Sequence, residues 1–318
     1  MSAEEYKNPD TVSMASEIDG ILNTSESKIK NIFTADVEDY FHVSAFSDVI
    51  KYSDWGKYKS RIIPNILSLL GLLEKYKIRG TFFILGWVAE KFPEIVTLIH
   101  QAGHEIACHS YLHRLVYKLT PRQFYDDTKK AKDIIEEIIN RPIHGYRAPS
   151  FSIVKKCQWA WDMLDQLGFT YSSSVYPIKH DRYGFLGIPR TAFQVRVKSG
   201  SYMKEIPMTT ISMLGKNIPV GGGGYLRLFP LWFTRMAIRR LNHEGIPAIV
   251  YMHPWEMDPH QPKMPGKLLS RFRHYTNLST TEYKLGSLFG EMEFTAMNDY
   301  IESMPEENFK VHKTGERS

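Results

Sequence analysis

The segment CHSYLH sets His109 and His113 four residues apart, and TADVEDY places Asp36, Glu38 and Asp39 within four positions. A spacing of four on one helical turn puts two imidazoles on the same side, an arrangement that suits two cis positions of a transition metal such as zinc. Three crowded carboxylates repel one another unless a cation or an arginine compensates. In an extended strand Asp36 and Glu38 point to the same face, so one can bind metal while the other stays free as a base. Each segment alone has a plainer reading, a solvated helix start or an acidic turn, and the chain holds 12 histidines. Together they describe a two-histidine, one-carboxylate centre with positions open for water and substrate.

Two further residues fit that chemistry. Arg147, in GYRAPSF, follows an apolar run and can hold the free carboxylate as an anion through a bidentate contact. His253, in YMHPWE, follows AIVYM and precedes Trp255, which suits a general acid beside an aromatic wall. A surface arginine and a core histidine bonded to a carbonyl are the plainer alternatives.

The elements that must position these residues alternate short apolar runs with amphipathic helical patterns, the signature of repeated βα units. Strands are expected at 31–37, in TFFILG (81–86), HEIAC (104–108), IHGYRAP (143–149), FTYSSSV (169–175) and PAIVYMH (247–253). Helices are expected at about 64–76, 93–101, 121–139, 154–167 and 231–243, with a last one from Thr280 or Thr281. Thr120, Pro121 and Gln123 form a capping box with proline at the first helical position. The pattern favours an irregular (β/α) barrel over an open doubly wound sheet. In both, ligands collect beyond the carboxyl ends of the strands, where all four segments lie. One domain is expected over 30–304, with 177–224 as an insertion and about 256–304 as a C-terminal extension. Residues 1–29 and 305–318 are polar and aperiodic and read as flexible.

Composition narrows the function. The 40 basic and 35 acidic residues are spread along the chain with no long Lys/Arg run, which argues against a nucleic-acid partner. Cys108 and Cys157 have no framework spacing and suit a reducing compartment. The acidic N-terminus lacks a secretory pattern and no apolar stretch is long enough for a bilayer, so a cytoplasmic location is expected, compatible with peripheral membrane contact.

At these motifs the chain resembles the polysaccharide deacetylases of carbohydrate esterase family 4. DVEDYFHVSAF, TFFILGWVAEKFPEI, GHEIACHSYLH, YRAPSFS, GGGGYLRLFP, YMHPWEMD and RFRHYTNLSTTEYKL are most similar to the subgroup associated with exosortase (PEP-CTERM) exopolysaccharide loci. The resemblance spans about residues 31–288 and implies an α/β fold, a deformed (β/α)7-type barrel. It also implies a divalent metal, zinc first, with cobalt, manganese, nickel or iron as alternatives, and removal of acetyl groups from an N-acetylated glycan. Asp36 matches the general base, His109 and His113 the metal histidines with Ser110 supporting their turn, Arg147 the residue orienting the base, and His253 the general acid.

Where the family commonly has adjacent aspartates, Val37 intervenes here. Strand alternation favours Glu38 as the carboxylate ligand, with Asp39 as the alternative. The family's usual partner for the catalytic histidine is missing from YSSSVYP, and Glu256 is a nearby candidate. An oxyanion-binding N–H is expected near Tyr111 or Phe151. Trp255 is the first choice for stacking on a sugar. Tyr225 would offer a second wall, and Arg227 a contact for an anionic group such as a lipid-linked pyrophosphate. The rival functions are an amidase on a small cyclic nitrogenous compound and a non-catalytic glycan-binding protein.

Overall fold

The computed structural model describes residues 29–180, 183–213 and 215–313. Strands β1 (Asn31–Val37), β2 (Thr81–Ile84), β3 (Glu105–Cys108), β4 (Gly145–Tyr146) and β5 (Tyr171–Ser172) lie side by side in parallel. The crossovers carry α1 (Ile62–Lys75), α2 (Gly86–Lys91), α3 (Pro93–Gln101), α4 (Pro121–Ile139) and α5 (Trp159–Gln166). The Thr120 hydroxyl accepts from the Gln123 N–H, and the Gln123 side chain accepts from the Thr120 N–H, so the capping box fixes the start of α4.

Next come the hairpin β6 (Phe193–Arg196) and β7 (Tyr202–Glu205), a second hairpin of β8 (Thr210–Met213) and β9 (Lys216–Pro219), then α6 (Gly223–Leu228) and α7 (Leu231–His243). β7 pairs in parallel with β5, so the segment 177–224 supplies wall to the main sheet. β10 (Ile249–Met252) returns beside β1. The chain continues through α8 (Leu268–Tyr275), α9 (Thr281–Glu291), β11 (Phe294–Thr295), α10 (Met297–Ser303) and β12 (Lys310–Val311). Backbone hydrogen bonds from Met208 to Val175, Val220 to Thr209 and Tyr251 to Gly221 extend the wall from the β5 side toward β10, curving the mostly parallel sheet toward a barrel.

Expectations for residues 1–28 lie outside the described residues. The start of the C-terminal stretch, read from its polarity as flexible, is structured to Lys313. Phe309 is buried and β12 pairs with β6. A single aromatic anchor in a polar stretch carries no periodicity to read. Among the described residues no helix is long and apolar enough to cross a membrane.

Strand alternation sorts the wall into two layers. Phe33, Ala35, Val37, Phe82, Ile84, Ile106, Cys108, Val250 and Met252 share one apolar cluster with the helices. Ile32, Phe83, Ala107, Tyr171, Ile249 and Tyr251 form a second cluster inside the barrel. The amino-terminal end of the interior is closed by Glu105, which accepts from Thr81 and Tyr171 hydroxyls at 2.6 Å each. Carried to the carboxyl ends, the inward alternation reaches Asp36, His109, Arg147, Ser173 and His253. One geometric rule thus collects residues from five strands at one rim.

The glycine run is where the wall meets Tyr251. A Cβ on Gly222 would lie 1.9 Å from Tyr251 Cδ1, whereas one on Gly224 would find its nearest atom at 4.0 Å. We predict that Gly222→Ala destabilises the fold by about 1–3 kcal/mol through overpacking, while Gly224→Ala is neutral or stabilising. Urea denaturation of both variants checks this.

Candidate active site

Arg147 is fully buried and its side chain crosses the barrel interior, with its guanidinium 4.1 Å from the Phe83 ring centroid. Nη1 donates to Asp36 Oδ1 at 2.7 Å and to Thr34 Oγ1 at 2.8 Å. Nε donates to the Ser173 carbonyl at 3.2 Å and Nη2 to Ser173 Oγ at 3.1 Å. The contact with Asp36 therefore runs through one nitrogen, not the two-pronged fork expected from sequence, because the rest of the guanidinium is held by β5's continuation.

The Arg147 main chain orients a second residue. Its carbonyl lies 2.8 Å from His109 Nδ1. A carbonyl can only accept, so Nδ1 carries the proton and Nε2 presents its lone pair. Burial lowers the His109 pKa to about 4 despite the opposing charge of Asp36, which leaves the ring neutral as a ligand must be.

His109 and His113 come together differently from the helical turn their spacing suggests. They stand on an irregular loop in which Ser110 (φ 62°) and His113 (φ 53°) are left-handed. Ser110 Oγ meets Tyr146 Oη at 2.7 Å, and the Gly86 N–H donates to the Ser110 carbonyl, which fixes the loop. His113 Nδ1 lies 3.3 Å from Ser44 Oγ, and its Nε2 lies 2.9 Å from Glu38 Oε2.

Glu38 and Asp39 separate cleanly. Asp39 turns away: Oδ2 accepts from Ser60 Oγ (2.7 Å) and the Arg61 N–H (2.8 Å), and Oδ1 from the Tyr40 N–H (2.9 Å). Its oxygens brace the loop at 60–61, so the alternative ligand is corrected to a structural residue. Glu38 Oε2 is buried, with His113 Nε2 beside it at 2.9 Å. Burial works to raise the Glu38 pKa, but His113, then His253 and His109, hold it well below the usual carboxylate range. Ligand atoms of Glu38, His109 and His113 lie within 4.8 Å of one another. A buried carboxylate and two imidazoles with their ligand atoms so close fit a divalent transition metal.

His253 faces this cluster from β10, its Nε2 3.4 Å from Glu38 Oε1. Its Nδ1 meets Glu256 Oε1 at 2.7 Å, and Glu256 Oε2 accepts from Arg227 Nε at 2.6 Å. Burial alone would lower the His253 pKa; the Glu256 hydrogen bond and the charges of Glu38, Glu256 and Asp36 outweigh it and raise it to about 9. Burial likewise opposes ionisation of Glu256, but Arg227 and His253 bring it down to about 2. Arg227 also donates to the carbonyls of Arg273, His274 and Thr276. It is buried and held by these partners, which corrects its reading as a substrate contact. The partner of His253 was signalled in sequence by the three-residue step to Glu256; nothing local pointed to Arg227.

A cleft of about 320 Å³ opens over Asp36, Glu38, His109, His113 and His253, with Phe151, Tyr183 and Tyr251 as walls. Past His253 it adjoins a mainly apolar chamber of about 350 Å³ bounded by Tyr225, Leu228, Trp255 and Arg273. Trp255 is buried between the rings of His253 and His274, at 5.1 and 4.1 Å between centroids, so it backs the histidine and offers little face to a sugar. The Tyr111 N–H donates to Asp127, and its ring lies 3.6 Å from the Lys130 ammonium, turned away from the cleft. The Phe151 N–H donates to the Ala148 carbonyl. Neither expected oxyanion donor is left unengaged.

Parts of the chain are similar to known proteins. Residues 60–172 match the polysaccharide deacetylase family, and residues 173–302 match a domain of unknown function, DUF3473. A peptidoglycan deacetylase of Helicobacter pylori is 32% identical over 109 residues, 34% of this chain and 36% of its own. A peptidoglycan-N-acetylglucosamine deacetylase of Bacillus cereus is 40% identical over 83 residues, 26% of this chain and 28% of its own. The chain thus spans about a third of the length of these curated relatives. A Mycobacterium smegmatis structure assigned as a polysaccharide deacetylase shares the fold, with a TM-score of 0.59, 19% identity, and coverage of 92% of this chain and 96% of its own. Residues 60–172 are thus related to the polysaccharide deacetylases, and the whole chain shares the fold of the mycobacterial structure. The subgroup is not distinguished by these matches.

The geometry separates the two adjacent carboxylates experimentally. We expect Glu38→Gln to weaken zinc binding by about 10–100-fold or more, and Asp39→Asn to leave zinc affinity within about threefold while lowering thermal stability. Calorimetric titration and melting curves measure both.

Proposed function

We propose that the protein is a divalent-metal-dependent N-deacetylase that removes acetyl groups from N-acetylated amino sugars of a poly- or oligosaccharide, releasing acetate. The observation that carries this reading is the placement of two separately anchored groups on either side of one donor cluster. Asp36 is held by Arg147 on one side, and His253 is held by Glu256 on the other, with Glu38, His109 and His113 between them. The relatives, both peptidoglycan deacetylases, support the same substrate class. Within that class we favour zinc as the metal and an exopolysaccharide or its lipid-linked precursor as the substrate.

An amide combines an unreactive carbonyl with a poor leaving group, so one must be polarised and the other protonated. A metal held by Glu38, His109 and His113 would supply Lewis acidity and lower the pKa of water. Asp36, held by the buried guanidinium of Arg147 at 2.7 Å, is placed to take a proton as water adds to the acetyl carbon. His253 carries a proton at neutral pH and is placed to deliver it to the sugar nitrogen as the C–N bond breaks. Glu256, anchored by Arg227, stabilises the imidazolium and fixes its direction. Phe151 and Tyr251, packed at 5.1 Å, form an apolar wall beside the reacting group.

Acetate release from an N-acetylglucosamine oligomer tests the reading. Activity should vanish on chelation and return with zinc. Asp36→Asn should lower kcat by about 10²-fold or more, and Glu256→Gln by about tenfold with KM nearly unchanged. Tight zinc binding with no acetate release from any glycan would turn the reading to a glycan-binding role. Release only from small cyclic amides would turn it to an amidase.

A further inference from the structure

Helix α8 is amphipathic in the inverted sense. It buries Ser270 and His274, while Leu268, Leu269 and Phe272 stand 82%, 59% and 58% exposed. Helices of a soluble fold normally turn such residues inward, and a cluster of large exposed apolar side chains marks a docking surface. The neighbouring chain adds to it. The Arg227 guanidinium bonds the carbonyls of Arg273 and His274, which fastens the end of α6 to the end of α8. Beside that junction Leu228 is 39% exposed, and Trp232, in the first turn of α7, is 66% exposed.

The chain segments that carry this face are basic. From Pro259 to Thr281 there is no Asp or Glu, against Lys263, Lys267, Arg271 and Arg273. From Ile206 to His243, which covers α6 and α7, there is again no acidic residue. Lys267 meets Asp48 at 3.0 Å, and Asp48 lines the catalytic cleft, so α8 begins at the cleft's mouth. Its other end supplies Ser270, Arg273 and His274 to the apolar chamber beside His253.

We propose that α8, with the adjoining ends of α6 and α7, docks the protein on an anionic lipid bilayer surface. Apolar side chains of the Leu, Phe and Trp type enter the headgroup–acyl boundary, and the flanking Lys and Arg pair with anionic headgroups. A second copy is the poorer occupant, since an isologous contact would set the same positive charge against itself. This inference goes beyond the deacetylase reading and does not require it. It turns the cleft mouth toward the bilayer, where a glycan carried on a lipid would be presented.

Sedimentation with sucrose-loaded vesicles tests it, using the full chain and phosphatidylcholine vesicles with or without phosphatidylglycerol. The protein should sediment with the phosphatidylglycerol-containing vesicles and be released by salt. The variant Leu268→Ser/Leu269→Ser/Phe272→Ser should bind at least about tenfold more weakly, with an unchanged melting temperature because all three positions are exposed. Lys263→Glu/Arg271→Glu should remove the preference for phosphatidylglycerol. Failure of the unaltered chain to sediment with either vesicle, or equal binding by the triple variant, overturns the proposal. A dimer in vesicle-free solution that the triple variant dissociates would overturn it in favour of self-association.

Discussion

A buried positive charge is costly unless nearly every donor finds a partner, and the barrel is organised around meeting that condition at Arg147. Its guanidinium binds Asp36 and Thr34 on the first strand and Ser173 beyond the fifth. Its own carbonyl fixes His109 beyond the third. Removing the guanidinium would leave Asp36 as an uncompensated buried carboxylate. Moving the backbone would turn His109. Asp36 and His109, the proposed base and metal ligand, are therefore positioned by the side chain and main chain of one residue, and neither can be re-aimed without disturbing the other.

A second buried ion pair plays the corresponding part on the opposite side. Arg227 comes from the segment matched to DUF3473, as do Glu256 and His253. His109, His113 and Arg147 come from the segment matched to the polysaccharide deacetylases, while Asp36 and Glu38 precede both. The pairing of β1 with β10 on one side and β2 on the other joins all three sources. The C-terminal region thus supplies part of the proposed site, and also the chamber and the outer face of α8.

Much of this was legible in the sequence because it obeys local rules. The alternation of apolar runs with helical periodicity located the strands, and the α4 cap and the limits of α7 followed from side-chain chemistry. The inward phase of β1 distinguished Glu38 from Asp39. What could not be read depended on contacts between distant residues. The histidine spacing was informative, but a loop with two left-handed residues, not a helix, produces the proximity. Arg227 read as a contact for an anionic substrate group because its partner lies 29 positions away. Tyr111 and Phe151 lay in suggestive motifs, yet their N–H groups answer to Asp127 and Ala148. Trp255 was recognised as an aromatic wall, though its two faces are taken by His253 and His274.

The two-residue alternation that lines the barrel also limits how such a chain can change its length. Inserting or deleting a single residue within β1, β3 or β10 would exchange the interior and helix-facing layers from that point to the strand's end. Asp36, His109 or His253 would then be driven into the apolar shell against the helices, and Val37, Cys108 or Met252 would face the cleft. Length variation is tolerable in the loops beyond the rim, where no such inversion follows. Descendants of this sequence can diversify their substrate-facing loops freely while the strands beneath stay fixed in length.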